Sequence, residues 1–258
     1  MTIGNDGVNM EFKEYGIDNP EMLVFLHGGG VGGWMWDKQV EYFSPKYHCL
    51  VPEILDLDDK DIKKFTINQT ADSLISLIES TGPNKPVSIV GFSIGAQIAL
   101  SALSKRPNMF SSAMINSALV RPVPFARVLT KVMLPTLPLT KNRTFSDIQA
   151  KSMYIEKDYL DTYYQSNKNI SSHLFADTMV ENMTYTIPSS FPDSTSNILV
   201  TVGEKEIRSI KASMTDIVDA NPNAHSLLVP NIGHGFPLAA PTLFNETLEG
   251  LLKSSTEK

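Results

Sequence analysis

Gly91-Phe-Ser-Ile-Gly95 stands between the apolar run Pro86-Val-Ser-Ile-Val90 and the run Ala96-Gln-Ile-Ala-Leu-Ser-Ala-Leu103. The first flank has the composition of a buried strand and the second the uninterrupted pattern of a helix, so Ser93 falls on a sharp strand-to-helix turn. A serine there adopts strained backbone geometry, and glycines at 91 and 95 avoid collisions with the neighbouring strand and helix. The hydroxyl is thereby displayed at the head of a helix, as a nucleophile requires.

Working outward, strands are expected at 9–15, at Met22–Leu26, at Cys49–Val51 and at Val87–Val90. Further ones follow at Ala113–Ile115, Ile198–Val202 and Ser226–Val229. Ile67 to Ser80 repeats apolar residues on one helical face, with Thr66 as N-cap and Gly82 at the end. A last helix is expected from about Ala240 to Lys253. Strands alternating with helices give an α/β fold with a mostly parallel sheet. The rhythm breaks from Val120 to about Asp193, a stretch too long for a plain loop. It reads as a helical insertion, with helices near Phe125–Leu134, Phe145–Tyr154, Ile155–Gln165 and Ser171–Met183.

The chain of 258 residues carries a net charge of −6 without a dense Lys/Arg cluster, which argues against a nucleic-acid partner. A single cysteine, Cys49, excludes an intrachain disulfide and a cysteine-based zinc site. No metal and no cofactor is expected. Met1 to Asp6 lack the basic and apolar regions of a signal peptide, and no apolar run reaches the roughly 18 residues of a membrane span. The expectation is a cytoplasmic protein with a small-molecule substrate and no membrane partner. Nothing in the sequence bears on oligomeric state.

A serine nucleophile needs a histidine base. Of five histidines, His48 and His225 lie at strands, His173 sits in the insertion without a companion group, and His27 opens a glycine loop that it is expected to brace. His234 remains, in the flexible loop Asn231-Ile-Gly-His-Gly-Phe-Pro237 after the last strand. The carboxylate that orients it is sought in Gly203-Glu-Lys-Glu206, where Glu206 is preferred and Glu204 competes. The alternative position, in Asn116-Ser-Ala-Leu-Val120, offers no carboxylate. Oxyanion donors are expected from Gly29, within a run of five glycines in the six positions 28–33, and from Ile94 directly after the serine. The glycine run lacks the lysine of a phosphate-binding loop.

With Leu-His-Gly-Gly-Gly, Gly-Phe-Ser-Ile-Gly, Gly-Glu-Lys-Glu and Gly-His-Gly-Phe-Pro in this order, the chain resembles the α/β-hydrolase superfamily over nearly its full length. The resemblance implies an eight-stranded, mostly parallel sheet flanked by helices. It divides the chain into a core of 1–119 and 194–258 and a helical cap of 120–193. It also implies a triad of Ser93, His234 and Glu206, although most capped members carry aspartate at the acid position. Val51-Pro-Glu-Ile-Leu-Asp56 lacks the glycines of the Pro-Asp-x-x-Gly-x-Gly loop found in relatives. The expected chemistry is hydrolysis of a small carboxylic ester through an acyl-enzyme. The same residues would also serve carbon–carbon bond hydrolysis, lyase chemistry or a ligand-sensing role. Trp34, Phe92, Met133, Met153, Phe175 and Met179 are candidate pocket residues, together with Phe145 and Tyr154.

Overall fold

The computed structural model describes residues 2–3, 10–54, 64–82, 84–168 and 170–256. Two strands without a single exposed residue set the centre: β3 (Met22–Leu26) and β5 (Val87–Phe92) run parallel and pair Met22 with Val87 through Leu26 with Gly91. Continuous apolar runs such as these suit strands covered on both faces. Around them stand β1 (Thr2–Ile3), β2 (Met10–Tyr15), β4 (His48–Pro52), β6 (Phe110–Asn116), β7 (Asn197–Gly203) and β8 (Ala224–Val229). The sheet order is β1-β2-β4-β3-β5-β6-β7-β8. The β1–β2 and β2–β4 pairs are antiparallel and all others parallel. Seven of these strands match those expected from the sequence, and the two-residue β1 completes the eight.

Strand order reverses between β3 and β5, so the segments leaving their carboxyl ends diverge from one crevice. In open α/β sheets such a switch point is where ligands bind. Here those segments are the glycine run and the Ser93 turn.

Helices cover both faces. α1 (Asp37–Phe43) precedes β4, and α2 (Ile67–Thr81) starts where Thr66 Oγ1 accepts the Gln69 N–H at 3.2 Å. α3 (Ile94–Lys105) is buried along its whole length from Ile94 to Ser104, the pattern of a helix enclosed by other elements. After the insertion come α8 (Arg208–Ala220), α9 (Phe236–Ala239) and α10 (Pro241–Thr256). The sequence reading omitted α1, α8 and α9. α1 and α9 are too short for a helical period to register, whereas Ile210, Met214, Ile217 and Val218 in α8 do carry that spacing.

Between β6 and β7 lie four helices, α4 (Ala126–Met133), α5 (Arg143–Ser152), α6 (Leu160–Lys168) and α7 (Ser172–Thr184). Leu134–Lys141, with prolines at 135 and 138, winds as a 3₁₀ segment that continues α4. The helix expected from Ile155 instead begins at Leu160, because Tyr154 takes a left-handed φ of 61° and a short 3₁₀ turn intervenes at Lys157–Tyr159. Among the described residues no helix is long and apolar enough to cross a membrane. The Met1–Asp6 reading falls mostly outside the described residues, as do Leu55 and Asp56 of the loop after β4.

Candidate active site

Ser93 sits between β5 and α3 with φ 55° and ψ −116°, a conformation that a non-glycine residue keeps only when its surroundings hold it there. Its N–H donates to Asn116 O at 2.9 Å, tying the turn to the end of β6. The flanking glycines are sterically required. A Cβ on Gly91 would lie 2.5 Å from Gly95 O, and one on Gly95 would lie 2.4 Å from His27 O. Strand, turn, helix and the neighbouring β3 end are thus packed backbone to backbone.

The glycine run leaves β3 directly over this turn. A Cβ placed on Gly28 would be 3.5 Å from Ser93 Cβ, and one on Gly29 would be 4.0 Å from Ile94 Cγ2. The Gly29 and Ile94 N–H groups make no hydrogen bond among the described residues. His27, fully buried, pairs its Nδ1 with Gly28 O at 2.8 Å, and its Nε2 accepts the Ile54 N–H at 3.0 Å. Since Gly28 C=O and Gly29 N–H belong to one peptide plane, fixing the first orients the second. Glu53 closes the cluster: its carboxylate accepts the Gly33 N–H at 3.1 Å and lies 3.3 Å from His27 Nε2. Burial pushes the Glu53 carboxyl up, but His27 and the Gly33 amide outweigh it and hold it below the usual range.

At the other end of the crevice, His234 Nδ1 meets Glu206 Oε2 at 2.8 Å. The carboxylate is almost wholly enclosed while the imidazole is 40% exposed. Glu206 Oε1 also accepts the Ser117 hydroxyl at 2.6 Å and the Gly203 N–H at 3.2 Å. Burial alone would raise this carboxyl, and the ring, the hydroxyl and the amide together hold it below its ordinary range. His234 Nε2 makes no hydrogen bond among the described residues. Phe92, read as pocket-lining, is buried and packs against the His234 ring at 4.9 Å between centroids. It supports the imidazole from the core side.

Glu204, the competing carboxylate, turns away and accepts the Asn231 N–H at 2.9 Å, bracing the loop that carries His234. Ser117 was not anticipated. It stands at the strand end where the sequence offered no carboxylate, and there it supplies a hydroxyl to the carboxylate of the next strand. The remaining histidines are occupied elsewhere. His48 bonds Glu14 and Lys85, and His225 lies on β8. His173 does have a companion, contrary to expectation: Asp177 Oδ2 lies 3.0 Å from its Nδ1, one helical turn along α7.

The insertion touches both loops. Asn167 Nδ2 on α6 donates to Gly30 O at 2.7 Å, and Tyr154 Oη accepts the Gly233 N–H at 3.1 Å. Thr178 on α7 brings its methyl to 4.0 Å from a Cβ placed on Gly29, and its buried Oγ1 has no hydrogen-bond partner among the described residues. Other pocket candidates are scattered. Phe175 and Met179 are half-buried on α7. Met153 accepts the Tyr163 hydroxyl at 4.0 Å. Trp34 stacks on Tyr159 at 5.3 Å and lines, with Tyr154 and Leu238, a small cleft that does not include Ser93. Met133 and Phe145 are exposed, at 37% and 38%.

Comparison with known proteins identifies the fold. A solved α/β hydrolase, MGS-M2 from a Medee basin deep-sea metagenome library, superposes with a TM-score of 0.82 at 17% identity, covering 98% of this chain and 97% of that one. The serine hydrolase CCSP0084 from Cycloclasticus zankles superposes with a TM-score of 0.81 at 18% identity, covering 100% and 99%. Ethanol acetyltransferase 1 of Hanseniaspora uvarum is 38% identical over 136 residues, which span 48% of this chain and 38% of that relative. The model of the alpha/beta hydrolase family matches residues 23–247, and the chain belongs to that family.

Proposed function

We propose that this protein is a serine hydrolase of small carboxylic esters, in which residues 120–193 cap a core of 1–119 and 194–258. The observation that carries the reading is the His234–Glu206 pair, whose outer nitrogen has no hydrogen-bond partner among the described residues, on the same sheet edge as a strained serine. Ser93 Oγ attacks the ester carbonyl carbon while His234 Nε2 takes its proton. The imidazolium is stabilised by Glu206, and the carbonyl oxygen, now negative, is held by the Gly29 and Ile94 N–H groups. The leaving alkoxide then receives the proton from Nε2, and water, activated by the same nitrogen, releases the acid from Ser93. His27 acts through Gly28 to aim the Gly29 N–H. The cap supports this reading through the Asn167, Tyr154 and Thr178 contacts, which bring it to both loops of the site.

The test is covalent labelling with a fluorophosphonate probe, followed by peptide mapping. An adduct on Ser93, lost in Ser93→Ala, is the expected result; folded protein that takes up no probe would overturn the assignment. A second reading is favoured by the 38% identity to an ethanol acetyltransferase: the acyl-enzyme could pass its acyl group to an alcohol in place of water. Measuring ethyl ester against free acid in ethanol–water mixtures separates the two, since a hydrolase yields ester only in proportion to the ethanol present.

A further inference from the structure

α4 presents its apolar side outward. Phe125, Val128, Leu129, Val132 and Met133 follow the spacing of one helical face, yet Phe125 is 80% exposed, Val132 68% and Val128 57%. The helix is anchored instead through Ala126 and Thr130, its only buried residues, against α7 and the 3₁₀ segment that follows. Apolar exposure continues at Leu139 in that segment and at Ile148 on α5. Contiguous apolar faces of this kind mark a surface that is covered in use.

Charge says by what. Residues 120–146 contain five basic residues and no acidic one, in a chain whose net charge is −6. Arg121 and Arg143 are paired with Asp216, Asp147 and Asp161. Arg127 and Lys131, one turn apart on the polar side of α4, have no carboxylate partner among the described residues, and neither does Lys141. An apolar face flanked by unpaired cations matches the requirements of a helix lying at an anionic lipid interface. Pairing of two copies about a two-fold axis would bring the same cations together, which disfavours that occupant.

We propose that α4 docks this protein on an anionic phospholipid surface. The acidic remainder of the molecule is repelled from such a surface, so this face alone leads. α4 packs on α7, whose Thr178 stands beside Gly29, so docking would bring the sheet edge that carries Ser93 toward the lipid. The sequence reading expected no membrane partner because it weighed only a spanning segment and a signal peptide, and an interfacial helix of this length leaves neither signal.

Flotation of the full chain with phosphatidylcholine vesicles, with and without an admixed third of phosphatidylglycerol, tests the proposal. The protein should float with the mixed vesicles, release at high salt, and partition at least about tenfold less as Val128→Asp/Val132→Asp. Arg127→Gln/Lys131→Gln should lose the preference for phosphatidylglycerol, and this pair decides the matter if the apolar variant fails to fold. Ile207→Asp, at an exposed site outside the insertion, should float like the parent. Absence of flotation with either vesicle overturns the proposal, as does equal binding to both. A dimer in light scattering that Val128→Asp/Val132→Asp dissolves would assign the face to a second copy.

Discussion

Two places along the carboxyl edge of the sheet carry a histidine beside a glutamate, and they differ in what is left unpaired. At the β3 and β4 ends, His27 is fully buried, both ring nitrogens are engaged, and Glu53 closes over the glycine run. At the β7 and β8 ends, Glu206 is enclosed but His234 keeps one nitrogen without a partner among the described residues and 40% of its side-chain surface open. On the proposed function, the same two residue types make a brace in one place and a proton carrier in the other. The distinction lies in the hydrogen-bond inventory, since an imidazole can move a proton only through a nitrogen not already committed.

That contrast is broken or sharpened most strongly by removing each ring. His234→Gln is expected to lower kcat for ester hydrolysis by about 10⁴-fold or more while leaving the melting temperature nearly unchanged. His27→Gln should do the reverse, lowering the melting temperature clearly and kcat by only about 10²-fold, the typical effect of a displaced oxyanion donor. Parallel kinetics and thermal melts check both, and equal kcat losses would erase the distinction. Next in size is Glu206→Gln, expected to cost about 10⁴-fold or somewhat less in kcat because the ring would lose its tautomer and its counter-charge. Ser117→Ala should be milder, about tenfold in kcat, with a stability loss of about 1.5–3 kcal/mol for a hydrogen bond to a charged group; denaturant titration measures it.

The smallest effect concerns pH. The carboxyls of Glu206 and Glu53 are both held below their ordinary range. A depressed folded-state pKa contributes stability that is present above the unfolded value and disappears as pH falls through the folded one. Melting temperature should therefore decline on acidification below the ordinary carboxylate range, and Glu206→Gln should flatten part of that decline. A Glu206→Gln curve parallel to the parent's would show that this carboxyl carries no such linkage.

The Ser93 turn was legible because its requirements are local: a strand pattern, two obligatory glycines and a helix pattern lie within one short stretch. His234 was legible by elimination and chain order. The choice of Glu206 over Glu204 depends on which way a loop turns after β7, and sequence spacing does not encode that direction. Ser117 was invisible for a related reason. Its value comes from β6 lying beside β7, a pairing between residues that the whole insertion separates in the chain. Pocket residues fared worst, since aromatic and methionine side chains at helical spacing serve core, cleft and outer surface alike. Phe92 and Met133 show two of those outcomes.

The contact between Ser117 and Glu206 bears on how such a site could change hands over evolutionary time. β6 and β7 each end near the same imidazole, one bearing a hydroxyl and the other a carboxylate. Exchanging those roles by single substitutions passes through an intermediate with either two acids or none. Two acids placed side by side there would have to share a proton, and none would strand the ring. The hydroxyl and the carboxylate therefore work as a matched pair, and neither strand end can be changed alone without cost to the ring that both serve.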